Sequence, residues 1–119
     1  MTLMSNGLGI DLVEIETIKE KLSDKFIHRI LSDDELIRYS KITHPERKLT
    51  FLAGRFAAKE AYVKAYQAFD HPLNFKDVTI LNNEKGAPYI VSNYRPSDQL
   101  LVSISHTKNY AVAIVQIIK

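Results

Sequence analysis

The stretch from Pro45 to about Phe69 constrains this chain more than any other. His44-Pro45 marks its start, because proline suits the first helical position and the residue before it avoids helical angles. Roughly 25 residues of helical pattern follow, about 37 Å of rod at 1.5 Å per residue. Leu49, Leu52, Ala53, Phe56, Ala57, Val63 and Tyr66 supply its buried face, so the fold must provide a surface to receive them. Gly54 in the interior costs about 1 kcal/mol relative to alanine, which predicts a neighbour packed closely against the backbone there.

Before the helix, "LGIDLVEI" (Leu8 to Ile15) reads as a short strand ending near Asp11 to Val13. Ile15, Ile18 and Leu22 then have helical spacing, and Phe26, Ile27, Ile30 and Leu31 resume it after a break near Ser23-Asp24. Ser32 followed by Glu35 forms a capping box, in which each side chain satisfies a free backbone N–H at a helix start. After the helix come "FKDVTIL", a turn at Asn82 to Gly86, "APYIV", a polar loop, and "LLVSISHT" paired through Lys108-Asn109 with "YAVAIVQII". These four segments predict a meander of about four antiparallel strands. The fold class is α+β: an antiparallel sheet with the long helix and shorter helices packed on one face. At 119 residues the chain is read as one domain, 1–119.

Several chemistries drop out. There is no cysteine, so disulfides, thiolate metal sites and cysteine nucleophiles are excluded. "GLGIDL" has Leu12 where a dinucleotide fingerprint needs its third glycine, no phosphate-loop motif occurs, and the histidines lack the spacing of a helical zinc pair. No run approaches the roughly 20 apolar residues of a membrane span, and "MTLMSNGLGID" does not read as an export signal, which predicts a cytoplasmic protein. A net charge of +2 is too small to imply nucleic acid. Basic residues do gather locally at Lys19, Lys21, Lys25 and Arg29, and again at Arg47, Lys48, Arg55, Lys59 and Lys64. Each group is either a mixed solvated surface or a place to meet an acidic partner.

Three positions have two readings each. Asp11 interrupts an apolar strand, where aspartate is disfavoured; it either caps the following helix or is a carboxylate placed for a cation. Glu60 stands four residues before Lys64, the spacing of a surface ion pair, yet Ala57, Ala58, Ala61 and Ala65 around it leave room for a ligand or a neighbouring element. His106 shares a strand face with Val102 and Ile104 and is either a strand-end residue or a functional one.

Taken together, "GIDLVEI", "GRFAAKEAYVKA" and "SISHT", in this order and spacing, resemble the holo-[acyl-carrier-protein] synthase family, small phosphopantetheinyl transferases. The resemblance spans nearly the whole chain. It implies transfer of the 4′-phosphopantetheine arm of coenzyme A to a serine of apo acyl carrier protein, releasing adenosine 3′,5′-bisphosphate, in fatty acid biosynthesis. It implies Mg²⁺ on Asp11 and Glu60. It makes Lys64 the lysine that offsets phosphate charge and Glu60, or a metal-bound water, the acceptor of the serine proton. Arg55, Lys59, Lys64, His106 and Thr107 match positions that hold coenzyme A. It also implies a homotrimer with active sites between protomers, Asp11 and Glu60 from one chain and the His106 strand from its neighbour. The sequence departs from the family at Thr17, where an arginine usually stands six residues after the aspartate; Lys19, Lys21, Lys25 and Arg29 keep that segment basic for carrier-protein docking. Neither nucleic acid nor a membrane is expected as a partner. Two rival readings stand beside this one: the same transfer to a secondary-metabolism carrier protein, and a non-enzymatic basic module that binds an acidic protein or RNA.

Overall fold

The computed structural model describes residues 5–67 and 73–118. Along the chain it runs β1 (Ser5–Glu14), α1 (Ile15–Glu20), α2 (Asp24–Ile30), α3 (Asp33–Lys41), α4 (Pro45–Tyr66), a 3-10 turn at Phe75–Asp77, β2 (Val78–Asn82), β3 (Pro88–Ser92), β4 (Gln99–His106) and β5 (Tyr110–Ile118). The α+β class holds, with antiparallel strand pairing in every ladder described.

The meander needs correction. Among the described residues the strands form two sheets, a three-stranded one of order β1-β5-β4 and a hairpin of β2 and β3. β3 and β4 are successive but share no ladder, because the polar loop between them turns aside to the end of α4. There the Tyr66 hydroxyl donates to Asp98 Oδ2 at 2.8 Å, Tyr62 and Ser92 share a hydrogen bond of 2.6 Å, and Tyr94 meets Tyr66 edge-on. The other edge of β5, away from β4, is filled by the first strand of the chain, which runs in register from Gly7 opposite Ile117 to Glu14 opposite Tyr110. β1 is also longer than expected and carries Asp11 within it rather than at its end.

Helix boundaries follow local chemistry. Ser23 Oγ accepts from the Phe26 N–H and separates α1 from α2. The capping box forms at α3: Ser32 Oγ accepts from Glu35 N–H at 3.4 Å and Glu35 Oε1 accepts from Ser32 N–H at 2.8 Å. Pro45 opens α4 as predicted, but the helix ends at Tyr66, where Gln67 turns left-handed with φ 53°. The predicted end at Phe69 lies outside the described residues.

α4 lies across the inner face of the three-stranded sheet, over Ala111, Ala113, Val115 and Ile117 of β5, which are all buried. Gly54 meets Ile104, whose Cγ2 would stand 3.2 Å from a methyl group added there, the close neighbour its position predicts. The outer face of the same sheet is bare, with Leu8, Ile10 and Leu12 of β1, Leu101 of β4 and Ile114 of β5 exposed. Among the described residues no helix is long and apolar enough to cross a membrane.

Candidate active site

Two glycines decide where the first strand can lie. Gly7 and Gly9 face α4, and a methyl group on either would overlap backbone atoms of Ala65 or Ala61. Lacking Cβ atoms, both let β1 sink onto the small-residue side of the helix. The room left by Ala61 and Ala65 is therefore taken by this chain's own strand rather than by a ligand. Alternation along β1 puts Asp11 on the same side as Gly9. There Lys64 Nζ donates to Asp11 Oδ1 and to the Ile10 carbonyl, both at 3.0 Å. Asp11 does not cap a helix, since the residue before α1 is Glu14 and its side chain makes no capping bond. Lys64 likewise makes its ion pair with Asp11 and not with Glu60, against what helical spacing alone predicts.

Glu60, one turn before Lys64, completes the cluster. Its carboxyl is pushed up from the ordinary value first by burial and then by the charge of Asp11, while Lys64 and Lys21 pull it down. Asp11 and Glu60 thus form a hard-oxygen pair of the kind that a small divalent cation neutralises. Among the described residues no cluster of three or more histidines and carboxylates that could hold a metal ion is found.

Two clefts flank these residues and do not merge within one chain. The smaller, about 420 Å³, has Glu60 in its wall, with Phe26, Ile30, Phe56 and Phe75 among its apolar lining and Lys21 and Arg29 among its charged lining. The larger, about 790 Å³, is lined by His106, Thr107, Lys19, Glu14, Thr50 and Tyr110 and includes neither Asp11 nor Glu60. The register explains the separation: Asp11 pairs with Ala113, and His106 with Ala111 on the far side of β5. Two strand spacings, roughly 10 Å, lie between their strands. His106 lies on the Val102 side of β4 as alternation predicts, and it is exposed. Thr107 Oγ1 accepts from the N–H groups of Asn109 and Tyr110 and so shapes the turn before β5. The four basic docking candidates are divided as well, with Lys21 and Arg29 at the Glu60 groove, Lys19 at the other cleft and Lys25 exposed on α2.

Two residues that the resemblance assigns to coenzyme A, Lys59 and Arg55, have other partners within the chain. Lys59 is fully buried; its ammonium pairs with Glu35 Oε1 at 2.5 Å and donates to the carbonyls of Ile30 and Phe75. An ammonium has three protons, and all three have acceptors. Burial pulls Lys59 down from its usual value and the adjacent Glu35 opposes that. Arg55 is 7% exposed; it lies over the Phe51 ring at 4.1 Å and donates to the Ile80 carbonyl and Asn82 Oδ1, tying β2 to α4. Its Nε is buried without a partner, and burial brings the guanidinium down to about 10, still charged at neutral pH. Sequence reasoning missed Glu35 as a partner because the capping box already accounted for it. A signal existed: Arg55, Lys59 and Tyr62 follow Leu52 at helical spacing and so fall on the buried stripe.

With this geometry in view, the comparison with known proteins decides the family. The family model described as 4′-phosphopantetheinyl transferase superfamily matches residues 7–115. The chain belongs to the 4′-phosphopantetheinyl transferase superfamily. Holo-[acyl-carrier-protein] synthase from Acholeplasma laidlawii is 47% identical over 112 residues, covering 94% of this chain and 95% of that protein. The enzyme of that name from Anoxybacillus flavithermus is 47% identical over 114 residues, with 92% of both chains covered. Among solved structures, a holo-(acyl-carrier-protein) synthase from Bacillus anthracis in complex with CoA (3′,5′-ADP) superposes with a TM-score of 0.85 at 36% identity, covering 98% of each chain. The Helicobacter pylori synthase in complex with coenzyme A gives 0.78 at 34% identity, covering 92% of this chain and 98% of that one. Membership of this transferase superfamily makes the chain an enzyme, and the non-enzymatic binding module is set aside.

Proposed function

We propose that this phosphopantetheinyl transferase moves the 4′-phosphopantetheine arm of coenzyme A onto a serine of apo acyl carrier protein, with Mg²⁺, as a step of fatty acid biosynthesis in the cytoplasm. The observation that carries the reading is the convergence of Asp11, Glu60 and Lys64 at the line where β1 meets α4, in a member of this superfamily. Attack of a serine oxygen on the phosphorus of a pyrophosphate requires neutralised phosphate charge, an aligned nucleophile and a stabilised leaving group.

Asp11 and Glu60 are the residues to hold Mg²⁺, because the charge of Asp11 is felt at Glu60 and both carboxylates have hard oxygens to offer. When bound, the ion supplies charge neutralisation at the pyrophosphate. Lys64 is 44% exposed and, among the described residues, is tethered to Asp11 and the Ile10 carbonyl, so it is able to turn toward the phosphate and offset charge there. Glu60, standing in the wall of the groove, is the carboxylate that takes the proton from the serine hydroxyl. Lys21 and Arg29 stand at the groove beside Glu60, and with Lys19 and Lys25 they attract the acidic carrier protein. Phe26 and Phe56 in the groove offer apolar contact that the basic pattern alone did not predict.

His106 and Thr107 serve coenzyme A from a neighbouring protomer in this reading. Two observations support a homotrimer: one chain keeps the His106 cleft apart from Glu60, and the outer sheet face exposes Leu8, Ile10, Leu12, Leu101 and Ile114. A contiguous apolar face of this kind is what self-association buries. Light scattering that gives a fully active monomer of 13.6 kDa would overturn the trimer. The function itself is tested by incubating the protein with coenzyme A, apo acyl carrier protein and Mg²⁺ and weighing the carrier protein by mass spectrometry. A pantetheinyl adduct that disappears with EDTA is the expected result. No adduct on a fatty-acid carrier, but one on a secondary-metabolism carrier, would move the assignment to that pathway. Charge reversal at Lys21 and Lys25 should raise the KM for carrier protein more at low salt than at high salt.

A further inference from the structure

Behind the groove that contains Glu60 lies a buried network which the proposed chemistry does not use. Lys59 Nζ donates to the Ile30 carbonyl at 2.6 Å and to the Phe75 carbonyl at 2.9 Å, and it pairs with Glu35 Oε1. Ile30 closes α2 and Phe75 opens the 3-10 turn, and both line that groove. One ammonium therefore joins the backbones of two separate segments of its wall. Glu35 in turn is fixed from both sides, Oε1 accepting from Ser32 N–H and Oε2 from Ile80 N–H at 2.9 Å. Neither side chain of the pair is exposed to solvent.

A buried pair that only filled the core could be exchanged for apolar residues of similar volume at little loss. Apolar residues cannot hold two carbonyls from different segments at a set spacing. A fully satisfied charged network does this rigidly, because each of its hydrogen bonds is charge-assisted and dry.

We propose that Lys59, held by Glu35, is a positioning residue: it fixes the opening of the groove beside Glu60 and thereby the fit of the acceptor segment that brings the serine. Lys59 touches neither reacting group. The inference rests on the reading of this groove as the carrier-protein site. Lys64 and His106, the proposed coenzyme A contacts, lie outside the network, so the effect falls on the acceptor and spares coenzyme A.

The test is steady-state kinetics with apo carrier protein and coenzyme A varied in turn, with a thermal melt of every variant. Lys59→Met strands the Glu35 carboxylate and risks unfolding, so Lys59→Met/Glu35→Gln, which removes both charges, carries the decision. The double variant should recover most of the Tm lost by the single one. Its KM for carrier protein should rise on the order of tenfold, while kcat at saturating carrier and the KM for coenzyme A stay within about twofold. A double variant with wild-type acceptor KM overturns the proposal, as does one in which kcat and both KM values worsen together. Lys21→Glu separates the two levels of the argument. If it leaves the acceptor KM unchanged, the groove reading fails and this inference with it; if it raises that KM and the double variant does not, only the positioning role fails.

Discussion

Lys59 and Glu60 are neighbours in the chain and opposites in the structure. Lys59 points into the protein, where its ammonium has three acceptors and no exposure to solvent. Glu60, about 100° further round the helix, stands in the wall of an open groove with the half-exposed Lys64–Asp11 pair nearby. Both are charged, and both belong to the same turn of α4. The difference teaches that burial sorts charge into two occupations. A dry charge must be completely hydrogen-bonded and then holds segments together, whereas a charge at the water boundary contributes little to stability and stays available to a ligand.

This contrast can be broken or sharpened by substitution, from the largest change in folding free energy to the smallest. Lys59→Met leaves a carboxylate buried without its cation and should destabilise the protein by about 3–5 kcal/mol in urea denaturation. A loss below about 1 kcal/mol would place Lys59 with the surface charges and dissolve the contrast. Gly9→Ala forces a methyl group against the Ala61 carbonyl and should lose about 1–3 kcal/mol. Transferase activity should fall with it, since lifting β1 off α4 carries Asp11 away from Glu60 and Lys64; retained activity would show that the cluster does not depend on this seat. Lys64→Met removes an exposed pair and should lose less than about 1 kcal/mol. Its kcat/KM should nevertheless drop roughly 10²- to 10³-fold, the loss typical of one charge-stabilising donor.

Glu60→Gln should reverse the sign. The folded carboxyl is raised above its ordinary value of 4.5, so the folded state prefers the protonated form, and that contribution is present below pH 4.5 and lost as pH rises through the folded value. At neutral pH the ionised Glu60 therefore weakens the fold slightly, and the variant should melt a little higher than the wild type while losing turnover. The difference in Tm should vanish on acidification below pH 4.5. A variant that melts lower at neutral pH would show that Glu60 supports the frame.

The elements whose causes are local are legible in the sequence. Ser32 and Glu35 lie within one helical turn and cap as the sequence predicts, Pro45 opens α4, and Gly54 meets the close neighbour its place requires. Asp11 and Glu60 are legible as oddities of their settings. What stays hidden depends on partners far along the chain. Glu35 meets Lys59 across 24 positions, Arg55 meets Asn82 across 27, and Lys64 meets Asp11 across 53. Nothing in the local pattern of Glu60 and Lys64 shows that a glycine strand from the N-terminal side will take the lysine away from the glutamate. The split of the sheet is hidden for the same reason, because alternation identifies strands without saying which ones pair.

β1 carries one further consequence. Its odd-numbered residues Gly7, Gly9 and Asp11 turn toward α4, and its even-numbered residues Leu8, Ile10 and Leu12 form part of the bare outer face. The strand thus separates two properties by parity alone. Sliding β1 by one position against β5 would set Ile10 or Leu12 beside Lys64 and put the aspartate on the apolar surface, spoiling phosphate chemistry and self-association in the same event. An inserted or deleted residue ahead of Asp11 is therefore a graver lesion than any single exchange within the strand.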